Sequence, residues 1–239
     1  MLQWDPPQNF QADMIEAIIF DFDGVIADSE HIALTELNQT FRKFGIELGW
    51  DELVSSFLGK SPGDIVRYIE KQSGADPGKE YPQIWNDRVC NRFATDLEVV
   101  PGITNLLSHL KDIRIPTCIA SGSPVERLDL ALRTLGLQEH FINRSFGGDH
   151  VERGKPAPDI FQYAADKLGV SSERCVVIED GLAGTIAARD AGVAVIIGFL
   201  GGSHLEGYRQ FHGKQLIENG ATHLAHSISE ITPIINERL

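Results

Sequence analysis

Apolar residues in this chain fall into short, nearly unbroken runs, separated by longer stretches in which they recur every three or four positions. The runs Ile15 to Phe22, Ile115 to Ala120, Cys175 to Ile178 and Val193 to Phe199 have the length and content of strands buried on both faces, and weaker runs lie at Arg144 to Phe146 and Thr222 to Ala225. Between them, Leu128, Leu132 and Leu135 mark one face of a helix over Glu126 to Leu135. Ile160, Phe161, Ala164, Ala165 and Leu168 do the same over Pro156 to Leu168. Strands alternating with helices predict parallel βαβ units, and so an α/β fold built on a doubly wound parallel sheet.

The alternation breaks once. From about Ser29 to Glu98 the spacing is helical throughout: Ile32, Ala33, Leu37, Phe41 and Phe44 form one stripe, Ile65, Val66 and Ile69 a second, Trp85, Val89 and Phe93 a third. The chain therefore divides into a lead-in over 1–13 with Pro6-Pro7, an α/β core of 14–28 and 99–239, and an inserted helical cap over 29–98. The insertion begins directly after the first strand and ends at Val99-Val100-Pro101-Gly102. Ligands of open α/β sheets bind beyond the carboxyl ends of the strands, so a lobe inserted there is placed to act as a lid.

Polar residues at the strand ends carry the chemistry. The first strand closes in Asp21-Phe22-Asp23-Gly24, two carboxylates two residues apart beside a core. Such a pair is tolerable when a cation lies between the two or when one of them keeps its proton. After the second long run comes Ser121-Gly122-Ser123-Pro124-Val125-Glu126. There Ser123 is the expected helix N-cap, Pro124 the first helical residue and Glu126 the partner in a capping box. Ser121 is then free to point its hydroxyl into the crevice, and backbone N–H groups around Gly122 favour an anion such as a phosphoryl group. Lys155, in Arg153-Gly154-Lys155-Pro156-Ala157-Pro158, offers a fixed ammonium able to neutralise a carboxylate and a phosphoryl oxygen together. The run Val176-Val177-Ile178 closes in Glu179-Asp180-Gly181. Two acid pairs at two strand ends are the hard, few and hydrated oxygen ligands that Mg²⁺ prefers.

Composition narrows the partners. The 239 residues are 42% hydrophobic and 23% charged, in the range of soluble globular chains. A net charge of −13, with no local basic patch, argues against nucleic acid or an anionic membrane as partner. The apolar runs fall short of the roughly 20 residues a membrane span needs, and no basic-then-hydrophobic leader opens the chain, so a cytoplasmic location is expected. Three cysteines, Cys90, Cys118 and Cys175, lack metal-site spacing and read as buried thiols. The eight histidines are scattered, and His223 with His226 is too little for a metal site. Gly59-Lys60-Ser61 is no nucleotide-binding loop, because the first glycine of that pattern falls on Val54. The absence of GxGxxG after the first strand leaves a dinucleotide enzyme without support. Oligomeric state is not readable.

Taken together, DFDGV at Asp21 to Val25, the Ser121 strand end, Lys155-Pro-Ala-Pro, and Glu179-Asp180 followed by Gly-Leu-Ala-Gly resemble the haloacid dehalogenase superfamily. The likeness runs from about Ile15 and is to its members with a helical cap, a subgroup that includes β-phosphoglucomutase and the sugar-phosphate and phosphoglycolate phosphatases. It implies that Asp21 is a nucleophile forming an aspartyl-phosphate. Asp23 is then the acid that protonates the leaving oxygen and later activates water, its proton affinity raised by the charge of Asp21. Ser121 and Lys155 bind phosphoryl oxygens, Lys155 also orienting Asp21. Mg²⁺ is held by Asp21, the main-chain carbonyl of Asp23 and Asp180, with Glu179 a ligand or the partner of one. Asp23 sets the chain apart from the dehalogenases and phosphonatases of the superfamily. The histidine and arginine of the mutases fall on Ala33 and Pro62, so the expected activity is a phosphatase of a small phosphorylated metabolite, with a β-phosphoglucomutase-like phosphomutase as alternative. Lys60 and Arg88 are the cap cations first in line as substrate contacts, while Gly201-Gly202-Ser203-His204, after a strand, reads first as a flexible turn and only second as a border of the crevice. A receiver-like signalling domain shares the acids and the lysine but lacks an inserted lobe and this order of acid pairs, and a catalytically silent binding module would not need all four motifs.

Overall fold

The computed structural model describes residues 14–60 and 62–238, so the expected lead-in over 1–13 lies outside the described residues. Six strands form one all-parallel sheet: β1 (Ala17–Phe20), β2 (Thr117–Ala120), β3 (Ser145–Phe146), β4 (Cys175–Glu179), β5 (Val195–Phe199) and β6 (His223–Ala225), in the order β3-β2-β1-β4-β5-β6. Each apolar run yields its strand, trimmed where the ladder is lost. At the start of the first run, for instance, Ile15 and Glu16 bond instead to the carbonyls of Arg238 and Arg174.

Among the described residues the helices are α1 (Glu30–Lys43), α2 (Trp50–Phe57), α3 (Pro62–Ser73), α4 (Tyr81–Asp96), α5 (Ile103–Asp112), α6 (Val125–Leu135), α7 (Asp159–Leu168), α8 (Leu182–Asp190), α9 (Arg209–Asn219) and α10 (Ile228–Asn236). Alternation along the strands decides which helix covers which face. Ile18, Phe20, Ile119, Val176, Ile178, Val195 and Ile197 pack with apolar residues of α5, α6 and α10. Ala17, Ile19, Cys118, Val177 and Ile196 pack on the other face with those of α7, α8 and α9. A strand sandwiched in this way has no polar face, which is why the runs are continuous. Cys118 and Cys175 are buried in these layers, Cys90 is half-buried, and all three are free thiols.

Among the described residues, helices α1 to α4 lie between β1 and α5 with no intervening strand of the sheet. Leu34, Leu37 and Phe41 of α1 pack with Leu53, Val54, Phe57, Ile65, Ile69 and Tyr81, while Ile32, Ala33, Val89 and Phe93 join the core layer of β1. The chain leaves and returns along paired segments: Val100 N–H donates to the Ile26 carbonyl and Asp28 N–H to the Glu98 carbonyl, both at 2.9 Å, flanking an antiparallel bridge between Ala27 and Val99. No helix among the described residues is long and apolar enough to cross a membrane. The sheet reverses its winding between β1 and β4, and the carboxyl ends of these two strands open the crevice such folds use for ligands.

Candidate active site

β1 stops at Phe20, and the Asp21 N–H donates to the Ile178 carbonyl at 2.9 Å, so the ends of β1 and β4 stay in register beyond the last β1 residue. This brings Asp21 beside Glu179 and Asp180. One oxygen of each of these three buried carboxylates lies within 4.8 Å of the others. Lys155 reaches the group from the loop before α7: its Nζ donates to Asp21 Oδ1 at 2.7 Å and to Glu179 Oε1 at 3.3 Å, with the Phe161 ring centroid 4.9 Å away.

Close packing holds the acids in place. A Cβ on Gly184 would lie 1.3 Å from Glu179 Oε1, so the Gly-Leu-Ala-Gly segment that begins α8 supplies a bare backbone for Glu179 to rest on. Gly24, at φ +80°, does the same for Asp180, whose Oδ2 would lie 1.9 Å from its Cβ.

Electrostatics follow from this crowding. Burial, then the charge of Asp21, pushes the Glu179 and Asp180 carboxyls well above the usual carboxylate range. Burial also raises Asp21, against the opposing pull of Lys155. Burial disfavours the Lys155 ammonium as well, but the carboxylates of Asp21 and Glu179 outweigh it and raise its proton affinity. One ammonium among three buried carboxylates leaves a surplus of negative charge, and Asp180 Oδ2 makes no hydrogen bond of its own. Hard oxygen donors in this state fit a Mg²⁺ ion.

Asp23 stands apart from that group. Its Oδ1 accepts from Ser29 Oγ at 2.5 Å and from Arg127 Nη2 at 3.2 Å, and its Oδ2 accepts from Ser123 Oγ at 2.7 Å. Two expectations are corrected here. Ser123 does not cap α6: Pro124 takes the cap position, Asp149 Oδ1 accepts the Val125 N–H at 3.1 Å, and the Ser123 hydroxyl serves Asp23 instead. Nor does Asp21 leave Asp23 with a raised proton affinity: although burial favours the neutral acid, Arg127, Ser29 and Ser123 together hold its carboxyl below the usual range.

Ser121 is buried at the end of β2, its N–H bonded to the Phe146 carbonyl and its Oγ accepting the Ser123 N–H at 3.0 Å; Gly122 is exposed beside it. The two cations of the insertion expected to contact substrate are not brought into this cluster. Lys60 is exposed and Arg88 lies near Tyr81, and neither bonds to the acids among the described residues.

Four further polar groups adjoin the acids. Arg127, 8% exposed, carries its guanidinium 5.9 Å from the Trp85 ring centroid and 5.3 Å from that of Phe93, both on α4. Glu30, in the first turn of α1, is pushed from 4.5 to about 8 by burial and then by the charge of Asp23. His204 and His212 are buried beside Asp180. The sequence signals were faint. Arg127 neighbours the Leu128, Leu132, Leu135 stripe without belonging to it, and His204 ends a glycine-rich loop that reads first as a flexible turn.

A family model for haloacid dehalogenase-like hydrolases matches residues 15–192. The chain belongs to that family. It is 31% identical over 182 residues to 6-phosphogluconate phosphatase of Escherichia coli K12, covering 76% of this chain and 81% of the relative. It is 29% identical over 229 residues to the phosphorylated carbohydrates phosphatase of Thermotoga maritima, covering 94% and 100%. Among solved structures, a haloacid dehalogenase-like protein of Agrobacterium tumefaciens superposes with a TM-score of 0.81 at 30% identity, over 93% of this chain and 98% of that one. The haloacid dehalogenase-like hydrolase therefore carries its buried acid cluster at the sheet position where α/β enzymes bind ligands.

Proposed function

We propose that this hydrolase is a Mg²⁺-dependent phosphatase of a small phosphorylated metabolite, a sugar phosphate or sugar-acid phosphate, working through an aspartyl-phosphate. The observation that carries the reading is the convergence of Asp21, Glu179 and Asp180 on one point, with Lys155 bonded to Asp21. The names of the relatives, two of them phosphatases of phosphorylated sugars or sugar acids, support the substrate class.

On this reading the Asp21 carboxylate attacks phosphorus, a bond to its oxygen forms and the ester P–O bond breaks. Lys155 orients Asp21 and, with Ser121 and the backbone at Gly122, meets the phosphoryl oxygens. Asp21, the Asp23 carbonyl, Asp180 and Glu179 hold Mg²⁺, which when bound supplies positive charge against the phosphoryl group. Asp23 gives a proton to the leaving oxygen and takes one from the water that releases phosphate. The three donors on Asp23 favour its charged form, suited to the second step. A phosphate dianion arriving beside it works the other way and raises its proton affinity for the first. Position 33, where the mutases carry histidine, holds an alanine buried in the core, which counts against the phosphomutase alternative. The inserted helices, which bring Ser29 and Glu30 to the crevice, act as the cap on this reading.

Phosphate release from a panel of sugar, sugar-acid and polyol phosphates, with Mg²⁺ and with chelator, tests this. Metal-dependent release from a subset of esters, lost in a folded Asp21→Asn variant, is the expected result. Metal-independent release, or turnover retained in that variant, would overturn it.

A further inference from the structure

Two buried histidines have no part in the mechanism above, and both touch Asp180. His212 Nε2 lies 2.6 Å from the main-chain carbonyl oxygen of Asp180, and His204 Nε2 lies 3.1 Å from its carboxylate Oδ2. We propose that His204 is a positioning residue for Asp180, fixing the carboxylate against rotation and thereby setting the affinity of the acid cluster for Mg²⁺. The inference rests on the Mg²⁺ reading above and adds to it a residue outside the acid motifs.

The geometry is specific. His204 is fully buried, and its close approach to Asp180 Oδ2 is out of line for a hydrogen bond; neither its ring nitrogens nor that oxygen hydrogen-bonds to any other group among the described residues. Ring and carboxylate are both buried and in close contact, so packing restricts where the carboxylate can turn. Space for the pair is cleared from two loops. A Cβ on Gly24 would collide with Asp180 Oδ2, and one on Gly202 would lie 2.5 Å from His204 Cε1. The loop bearing His204 is tied down by Ser203, whose N–H and Oγ donate to Asp28 Oδ1 at 3.3 and 2.9 Å. Asp180 is thus held at its backbone by α9 and at its side chain by the loop after β5, the arrangement of outer partners that orients metal ligands.

The test needs no substrate. Mn²⁺ binding to the full chain is followed by loss of the free-ion paramagnetic resonance signal, and Mg²⁺ affinity by displacement of Mn²⁺. His204→Ala is expected to weaken Mg²⁺ binding about tenfold, the lower end for loss of an outer partner. His204→Gln, which keeps a planar polar group beside Asp180, should recover part of that loss. Gly202→Ala keeps the histidine but pushes its ring aside, and is expected to weaken binding as His204→Ala does. It decides the matter if His204→Ala fails to fold. Affinities within twofold of the unaltered chain in a folded His204→Ala or Gly202→Ala variant would overturn the proposal. An unaltered chain that binds neither ion would overturn the Mg²⁺ reading itself, so the two failures are distinct.

Discussion

Arg127 holds Asp23 from a helix of the sheet domain while its guanidinium rests on Trp85 and Phe93 of an inserted helix. It is the only charged donor on Asp23 among the described residues, and both partners are buried, so removing it leaves a carboxylate supported by two hydroxyls alone. Arg127→Met keeps most of the stem volume between the rings and is expected to cost about 3 kcal/mol of unfolding free energy, the lower end for a broken buried pair. Urea unfolding checks this, and a cost below about 1 kcal/mol would show the pair to be dispensable. The acids were legible in the sequence because each pair interrupts an apolar run. Their donors were not, because Ser29, Ser123 and Arg127 lie 6, 100 and 104 positions from Asp23 and only the fold brings the last two to it. Ser123 shows the limit of local rules: serine before proline at a helix start satisfies every capping criterion, yet a buried carboxylate competes more strongly for its hydroxyl.

The sheet was legible element by element, since strands covered on both faces cannot hide their apolar content. β1 is the central case, paired with β2 on one side and β4 on the other, with Phe20 fully buried at its end. Phe20→Ala is expected to destabilise the protein by about 3–5 kcal/mol, because the sheet neighbours cannot collapse into the space left. Thermal unfolding measures this, and a cost under about 1 kcal/mol would mean that β1 is more yielding than its packing implies. Helix boundaries were less legible than strands. The expected start at Pro156 of the helix carrying Ile160 and Phe161 moves to Asp159, since the segment carrying Lys155 runs as turns up to that point.

Across the whole molecule, acidic residues outnumber basic ones 34 to 21, and several are crowded around one crevice. Folding there has a pH cost with a definite sign. Glu30 rises from 4.5 to about 8 in the folded state, so the unfolded chain gives up this proton first. The stability that neutral Glu30 contributes is full below about 4.5 and is lost as pH climbs towards 8. In chelator, Glu30→Gln is expected to melt at the same temperature as the unaltered chain near pH 4.5 and at a higher one at pH 8. Melting curves that stay parallel across that window would refute the assignment.

The paired segments 26–28 and 98–100 give the helical insertion a property of descent as well as of structure. Because its two ends meet in a hydrogen-bonded bridge, the excursion leaves and rejoins the sheet at one place. A lineage could lengthen, shorten or exchange that excursion without rethreading a strand. Novelty in what the enzyme accepts and constancy in the chemistry it performs can thus be inherited separately from one chain.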